Sequence, residues 1–474
     1  MYMCVRKTGV GVLPIAFILL FFVLAAITPL WAVPAPSAHA VSEIPENLYL
    51  RTQLIDQVLG PIEAARKLPD LMPKTPEPGY EVNVQFFIEE QNDSVYFCFY
   101  HGDNVEFNDA VAGSYIIKRS RQDGRLEQIK IFYKSEPGSF LRIFPDREGL
   151  SRIDVYLRDR KLQSDVKLHL PLDKIARMPF SELVRRTVGY INWEFYIPRS
   201  EFLPPELTTV DDLYQQVIPY LEQLRDADDG AINAEGEFVY IEDGSPQGGE
   251  GGLNCSGFAK WVVDSLLYPK TDKLLSIDTL KRPHPDYRGN RWSRKVEDIE
   301  DPYFGLDWTR NLAIEAYRAL DVLPMEATAS KTTIAGDSAT AGDDGSERDV
   351  NPEFADVNFL RYHEYEEDVG YPVADIETVM YELAKENPGH IYLGSVNTLV
   401  HNEYELRKHL HVAVFFPWLD AEGRLVLKIL ETNEETSAAS FLRRYRGDFV
   451  HLVSIPQIGV FKPANMRLEP VLKR

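Results

Sequence analysis

The chain has 474 residues, 44% of them hydrophobic, with 51 Lys and Arg against 73 Asp and Glu. That length accommodates two or three domains, and that apolar content supports packed cores rather than global disorder. A formal charge of −22 argues against a nucleic-acid partner, which needs a basic face, and against a polybasic membrane patch.

The N-terminus reads as an export signal. Arg6 and Lys7 precede an apolar stretch from about Val12 to Val33, and Ala38-His39-Ala40 supplies a small-residue cleavage site. Cleavage after Ala40 removes both cations and takes the formal charge from −22 to −24. The expected location is the periplasm or cell envelope. The alternative is an uncleaved segment that anchors the chain, the one route by which this sequence meets a membrane. Cys4 precedes the apolar run, so no lipid-attachment cysteine follows it. Cys98 lies in an apolar strand and reads as a buried free thiol. Three cysteines in all exclude a disulfide framework.

Residues 44–200 read as a β-rich module. Runs of aromatic and β-branched residues at 81–89, 94–101, 114–118, 126–133 and 153–157 are separated by turn signals. Asp123-Gly124 predicts a hairpin. Helices are predicted near 51–67 and 180–186. The aromatic strands read as core, and nothing in them suggests chemistry.

Pro204-Pro205 marks a boundary, and a second domain is predicted over 205–474. Thr208, Thr209, Asp211 and Asp212 open a helix in which Leu213, Val217, Leu221 and Leu224 repeat at helical spacing, with Pro219 inside it. A helix over 255–267 follows, with Phe258, Trp261, Val262, Ser265 and Leu266 along one inward stripe. Residues 268–372 read as a long insertion, with a helix at 308–320 and a flexible, small-residue stretch at 326–352. A helix at 375–386 and strands at 390–396, 409–416, 425–431 and 449–455 complete the pattern.

The chemistry concentrates at Asn254-Cys255-Ser256-Gly257-Phe258, behind a run containing Gly248, Gly249, Gly251 and Gly252. A cysteine at a helix N-terminus lies beside backbone N–H groups without intrahelical partners, and these favour the thiolate. Much later come His411-Val412-Ala413-Val414 and Glu431-Thr432-Asn433. The two strands that carry them form a hairpin centred near 421 or 422, in which His411 falls near Thr432. Glu431 and Asn433 flank that position on one face, so either is able to hold the imidazole tautomer. His409 shares the strand with His411, and His409-x-His411 with Glu431 also has the spacing of a zinc site. That reading leaves Cys255 unexplained.

These residues resemble the NlpC/P60 and CHAP branches of the papain-like cysteine peptidases. Those families carry D-C-S-G-F at the nucleophile, with Asn254 standing here in place of the aspartate. Tyr240 and Gly244-Ser245-Pro246-Gln247-Gly248-Gly249 are similar to the preceding loop. Pro388-Gly389-His390-Ile391-Tyr392-Leu393 is similar to the segment before the histidine strand, and Glu431-Thr432-Asn433 to the E-x-N of CHAP enzymes. The resemblance covers roughly 205–455, interrupted by the insertion.

It implies an α+β fold in which a papain-like catalytic domain, with a helix-borne cysteine packed on an antiparallel sheet, follows the β-rich module. It implies hydrolysis of a peptide or other amide bond in peptidoglycan, with no cofactor and no metal. Cys255 would be the nucleophile and His411 the general base. Glu431 or Asn433 would orient His411, and Tyr240 would assist the oxyanion. The alternative is a catalytically inactive papain-like domain serving as an envelope scaffold or binding module.

Overall fold

Strict alternation builds the first sheet. In Ile129-Lys130-Ile131-Phe132 the two isoleucines face inward, and Lys130 and Phe132 face the other way. The computed structural model describes residues 46–72, 77–80, 82–102, 111–197, 207–284, 288–289, 293–320, 351–401, 405–456 and 460–464. The segment expected to be an export signal, Pro204-Pro205 and nearly all of the 326–352 stretch lie outside the described residues. Among the described residues, no helix is long and apolar enough to cross a membrane.

Seven strands form an antiparallel meander in chain order: β1 (Val84–Gln91), β2 (Ser94–His101), β3 (Tyr115–Ser120), β4 (Leu126–Phe132), β5 (Phe140–Pro145), β6 (Ser151–Leu157) and β7 (Arg160–Leu168). Gly124, at φ +70°, makes the expected turn between β3 and β4. Strands β5 and β7 are additions to the sequence reading. Pro145 ends one, and polar residues dominate the other, whose side chains are mostly solvated. Helices α1 (Tyr49–Val58), α2 (Ile62–Ala65), α3 (Leu172–Arg177), α4 (Phe180–Thr187) and α5 (Trp193–Tyr196) join the inner face in one apolar core.

The second half contains helices α6 (Leu207–Leu221), α7 (Cys255–Thr271), α8 (Ile277–Leu280), α9 (Arg294–Glu300), α10 (Phe304–Ala319), α11 (Ile376–Glu386) and α12 (Ala438–Arg444). A short pair, β8 (Ala231–Ile232) and β9 (Phe238–Val239), precedes α7. The main sheet uses β10 (Tyr371–Pro372), β11 (His390–Val400), β12 (Leu406–Leu419), β13 (Leu425–Glu431), β14 (Glu434–Thr436) and β15 (Phe449–Pro456). Their order is β10-β15-β11-β12-β13-β14, antiparallel throughout. This sheet is covered on both faces, which explains the unbroken run Val412-Ala413-Val414-Phe415-Phe416. Val412, Val414 and Phe416 pack toward α6, α7 and α10, while Ala413 and Phe415 join the core shared with α11 and the N-terminal module.

That sharing joins the two halves. Lys134 Nζ donates to the Tyr381 hydroxyl at 2.9 Å, and that hydroxyl donates to the Phe195 carbonyl at 2.9 Å. Two further expectations are corrected. Helix α7 is buried all round from Ser256 to Leu267 rather than along one stripe. The reason is the insertion: α10 packs along α7 and the sheet, with Trp308 Nε1 donating to the Ser256 carbonyl at 2.9 Å. The first part of the insertion is thus core, built on a helix that starts at Phe304. Polar residues on α7 are satisfied internally, with Lys260 Nζ 2.5 Å from Asp264 and the other Asp264 oxygen accepting from Leu275 N–H at 2.8 Å.

Candidate active site

Cys255 is the first residue of α7. Asn254 caps the helix, its side-chain oxygen accepting from Gly257 N–H at 2.8 Å. Asn254 N–H in turn donates to the Gly230 carbonyl at 3.0 Å, which clamps the helix start to the segment entering β8. Gly257 is required by this approach, because a Cβ there would stand 2.0 Å from the Gly230 oxygen. The glycine-rich run is also pinned. Gln247 Nε2 donates to the Val239 and Gly252 carbonyls at 2.8 and 3.1 Å, and its oxygen accepts from Gly252 N–H at 2.8 Å.

His411 stands on β12 where its neighbour strand departs. The β12–β13 ladder runs from Leu419 opposite Leu425 to Val414 opposite Leu430 and stops. Its centre is residue 422, so the register extends from His411 toward Asn433 rather than Thr432. Thr432, in the left-handed region at φ +52°, turns the chain into β14 before that pairing forms. The edge of β12 is thereby left to Cys255, whose sulfur receives the Val412 N–H and the His411 imidazole. His411 Nε2 lies 2.7 Å from Glu431 Oε1, which leaves Nδ1 as the ring nitrogen for the sulfur.

Burial raises the Cys255 thiol, but His411, the Val412 N–H and the Ser256 hydroxyl outweigh it and hold the group below its ordinary value. Burial opposes charge on His411 as well. Cys255 and Glu431 overcome it and push the imidazole up to about 9. Glu431 is buried, and desolvation raises it. His411, the Thr436 hydroxyl and Arg444 together bring it below the usual carboxylate value. The shifts therefore favour the thiolate, imidazolium and carboxylate forms of the three groups, an arrangement suited to nucleophilic attack with proton transfer.

Two participants carry no motif. Arg444 Nη1 donates to both Glu431 oxygens at 3.0 Å. The Tyr445 ring stacks on His411 with centroids 5.6 Å apart, and its hydroxyl is 3.4 Å from Glu431 Oε1. Both come from the end of α12, which the sequence reading did not contain. The only signal is a cation and an aromatic at the end of a short Ser-capped helix.

The remaining candidates are placed elsewhere. Asn433 lies beyond the Thr432 turn and donates to the Leu224 carbonyl at 3.2 Å, so it is Glu431 that contacts the histidine. Tyr240 is 44% exposed, and its hydroxyl makes no hydrogen bond among the described residues. His409 is buried, with Nδ1 2.8 Å from Ser395 Oγ and Nε2 2.9 Å from the Asp368 carbonyl. A bulge between Val396 and Asn397 separates the pairing of His411 from that of His409. Burial, with His451 next, drives His409 down to about 3, which keeps it neutral. Among the described residues, no cluster of three His, Cys, Asp or Glu is arranged to hold a metal ion.

Residues 40–195 match a family model described as a domain of unknown function, DUF8515. The match covers the N-terminal module and ends before α6, so it does not reach Cys255, His411 or Glu431. No curated protein and no solved structure matches the chain.

Proposed function

We propose that this chain is an exported cysteine hydrolase of the papain-like NlpC/P60 or CHAP type. Its substrate is an amide bond in peptidoglycan, cut as an endopeptidase or amidase. The observation that carries the reading is the continuous contact from Cys255 at a helix N-terminus through His411 to Glu431. The peptidoglycan substrate rests on the resemblance of Asn254–Phe258, His411–Val414 and Glu431–Asn433 to those families.

In this mechanism Cys255 Sγ attacks the amide carbonyl carbon. The Cys255 N–H, first in α7 and without an intrahelical acceptor, faces the developing oxyanion. His411 gives its Nδ1 proton to the leaving amine as the C–N bond breaks, leaving a thioester. Neutral His411 then takes a proton from water. The hydroxide adds to the thioester carbon, the C–S bond breaks, and the carboxylic acid leaves as the thiolate–imidazolium pair is restored. Glu431 keeps Nε2–H in place throughout. Tyr240 is assigned no step.

The test is digestion of purified peptidoglycan by the wild type and by Cys255→Ala, with mass spectrometry of released fragments. Fragments from the wild type alone are expected, unchanged by chelator, and their masses identify the bond. Fragments from neither protein, with both folded, would overturn the reading in favour of a scaffold.

A further inference from the structure

Helix α12 ends beside the contact between Cys255, His411 and Glu431. Ser437 Oγ accepts from Ser440 N–H at 3.2 Å and starts the helix. Phe441 is fully buried, its ring centroid 5.4 Å from that of Phe415 and 4.8 Å from that of Tyr445, and this packing fixes the other end. Arg443 and Arg444 close the helix, and Tyr445 and Arg446 follow. Cations at a helix C-terminus complement its dipole. That accounts for their charge but not for where Arg444 is held.

Arg444 reaches Glu431 with one nitrogen only. Nη1 donates to both carboxylate oxygens, and no carboxylate approaches Nε or Nη2 among the described residues. The Arg444 side chain is 46% exposed, although Glu431 is buried. A guanidinium is a planar fork able to grip carboxylates through two nitrogens, so part of this fork remains for a second acceptor. Arg443 donates to Ser440 Oγ at 3.2 Å, and neither it nor Arg446 makes an ion pair among the described residues. Both are exposed. Glu434, opposite Glu431 across the turn into β14, is exposed and likewise makes no ion pair among the described residues. The rim thus sets Arg443, Arg444 and Arg446 against Glu431 and Glu434, in a chain whose 73 acids outnumber its 51 Lys and Arg.

The imidazole decides which half of a substrate meets this rim. Nδ1 faces the sulfur and Nε2 faces Glu431, so Glu431 and the Arg444 held on it lie across the ring from Cys255. A proton given from Nδ1 goes to the leaving nitrogen, which puts the amine half of the substrate over the histidine. One extended residue spans about 3.5 Å, which carries a carboxylate on the residue supplying that nitrogen toward the open edge of Arg444.

We propose that Arg444 is the specificity-determining residue of this site and selects amides whose leaving amine belongs to a residue with a free carboxylate. Nη2 takes the carboxylate while Nη1 stays on Glu431, and Arg443 and Arg446 draw anionic substrates to the rim. The inference rests on the reading of Cys255 as nucleophile and His411 as proton donor, and does not require that the substrate be peptidoglycan.

The test is alkylation of the full chain, read on the peptide containing Cys255. Bromoacetyl-glycine is compared with bromoacetyl-glycinamide, which has a carboxamide in place of the carboxylate. Bromoacetyl-aspartic acid α-amide and bromoacetyl-asparagine amide make the same comparison with the carboxylate on a side chain. Both members of a pair meet the same thiolate, so their rate ratio is insensitive to changes in Cys255 reactivity. The wild type is expected to react about fivefold faster with the carboxylate of at least one pair, as suits a half-exposed contact, and that pair identifies where the carboxylate sits. Arg444→Gln should bring the ratio below about twofold, and Arg444→Lys, which keeps the charge, should retain part of it. Equal rates within both pairs for the wild type, or an unchanged ratio in folded Arg444→Gln, would overturn the proposal. Peptidoglycan cleavage without any probe preference would sink this inference alone, whereas a preference without peptidoglycan cleavage would support it while the substrate reading fell.

Discussion

Replacing Glu431 by Gln tests the electrostatic core of the site with little change in shape. Glutamine still offers an oxygen to His411 Nε2, so the change removes charge and keeps the acceptor. His411 is raised from 6.5 to about 9, and each unit corresponds to about 1.4 kcal/mol, giving about 3 kcal/mol in favour of the imidazolium. Cys255 supplies the first share and Glu431 the next. If Glu431 accounts for about half, its loss lowers the histidine by about one unit and reduces the thiolate–imidazolium population about tenfold. Arg444, left without its anion, adds to the shift in the same direction. The assay is the rate of iodoacetamide alkylation from pH 5 to pH 10, read on the peptide containing Cys255. Cys98 does not compete, since burial keeps it a thiol. The wild type is expected to alkylate well below the ordinary thiol range, and Glu431→Gln to require a pH about one unit higher. Superimposable profiles, or a wild-type Cys255 that titrates as an ordinary thiol, would refute the coupling.

Asn433→Ala should lose one hydrogen bond to Leu224, about 1 kcal/mol of stability, and keep turnover within about threefold, because it removes nothing that His411 touches. Loss of activity in Asn433→Ala with full activity in Glu431→Gln would reverse the assignment. Gly257→Ala drives a Cβ against the Gly230 carbonyl oxygen. It should cost about 3 kcal/mol in urea unfolding and slow Cys255 alkylation, since helix propensity returns only about 1 kcal/mol; unchanged stability would contradict the packing. Burial holds His101 and His363 down to about 4 and His409 to about 3. A depressed histidine stabilises fully above 6.5, and that stability is lost as pH falls toward the folded value, because only the unfolded chain takes the proton. Three such groups give a slope of up to about 4 kcal/mol per pH unit between pH 6 and 4. Urea midpoints at pH 7, 5.5 and 4.5 check this, and a flat series would exclude it.

Local pattern was a good guide where one element decided the outcome. Strand β2 and strand β13 fall on their expected residues, and helix α7 begins at Cys255 as its Asn cap and glycine-rich approach imply. The reading lost accuracy where two elements decide together. Burial of α7 on every side depends on α10, whose residues looked like an insertion. The choice between Glu431 and Asn433 depends on a left-handed Thr432, which composition does not announce. Arg444 and Tyr445 reach the site only because α12 folds back over the β13 terminus.

The outer face of the first sheet shows the same limit from the opposite side. Read along the chain, Phe132, Phe140 and Tyr156 are apolar strand residues and belong in a core. Alternation alone puts Ile129 and Ile131 on the face opposite Lys130 and Phe132, so the lysine identifies the face that α1 to α5 do not cover. What composition could not supply is the cross-strand register, which places Arg142 opposite Lys130 without an acid between them. An aromatic stripe reads as ordinary core until cations are found in the neighbouring row of the same face. The information was therefore present in the order of residues on β4, but its meaning depends on pairing with β5, a strand that only the folded chain reveals.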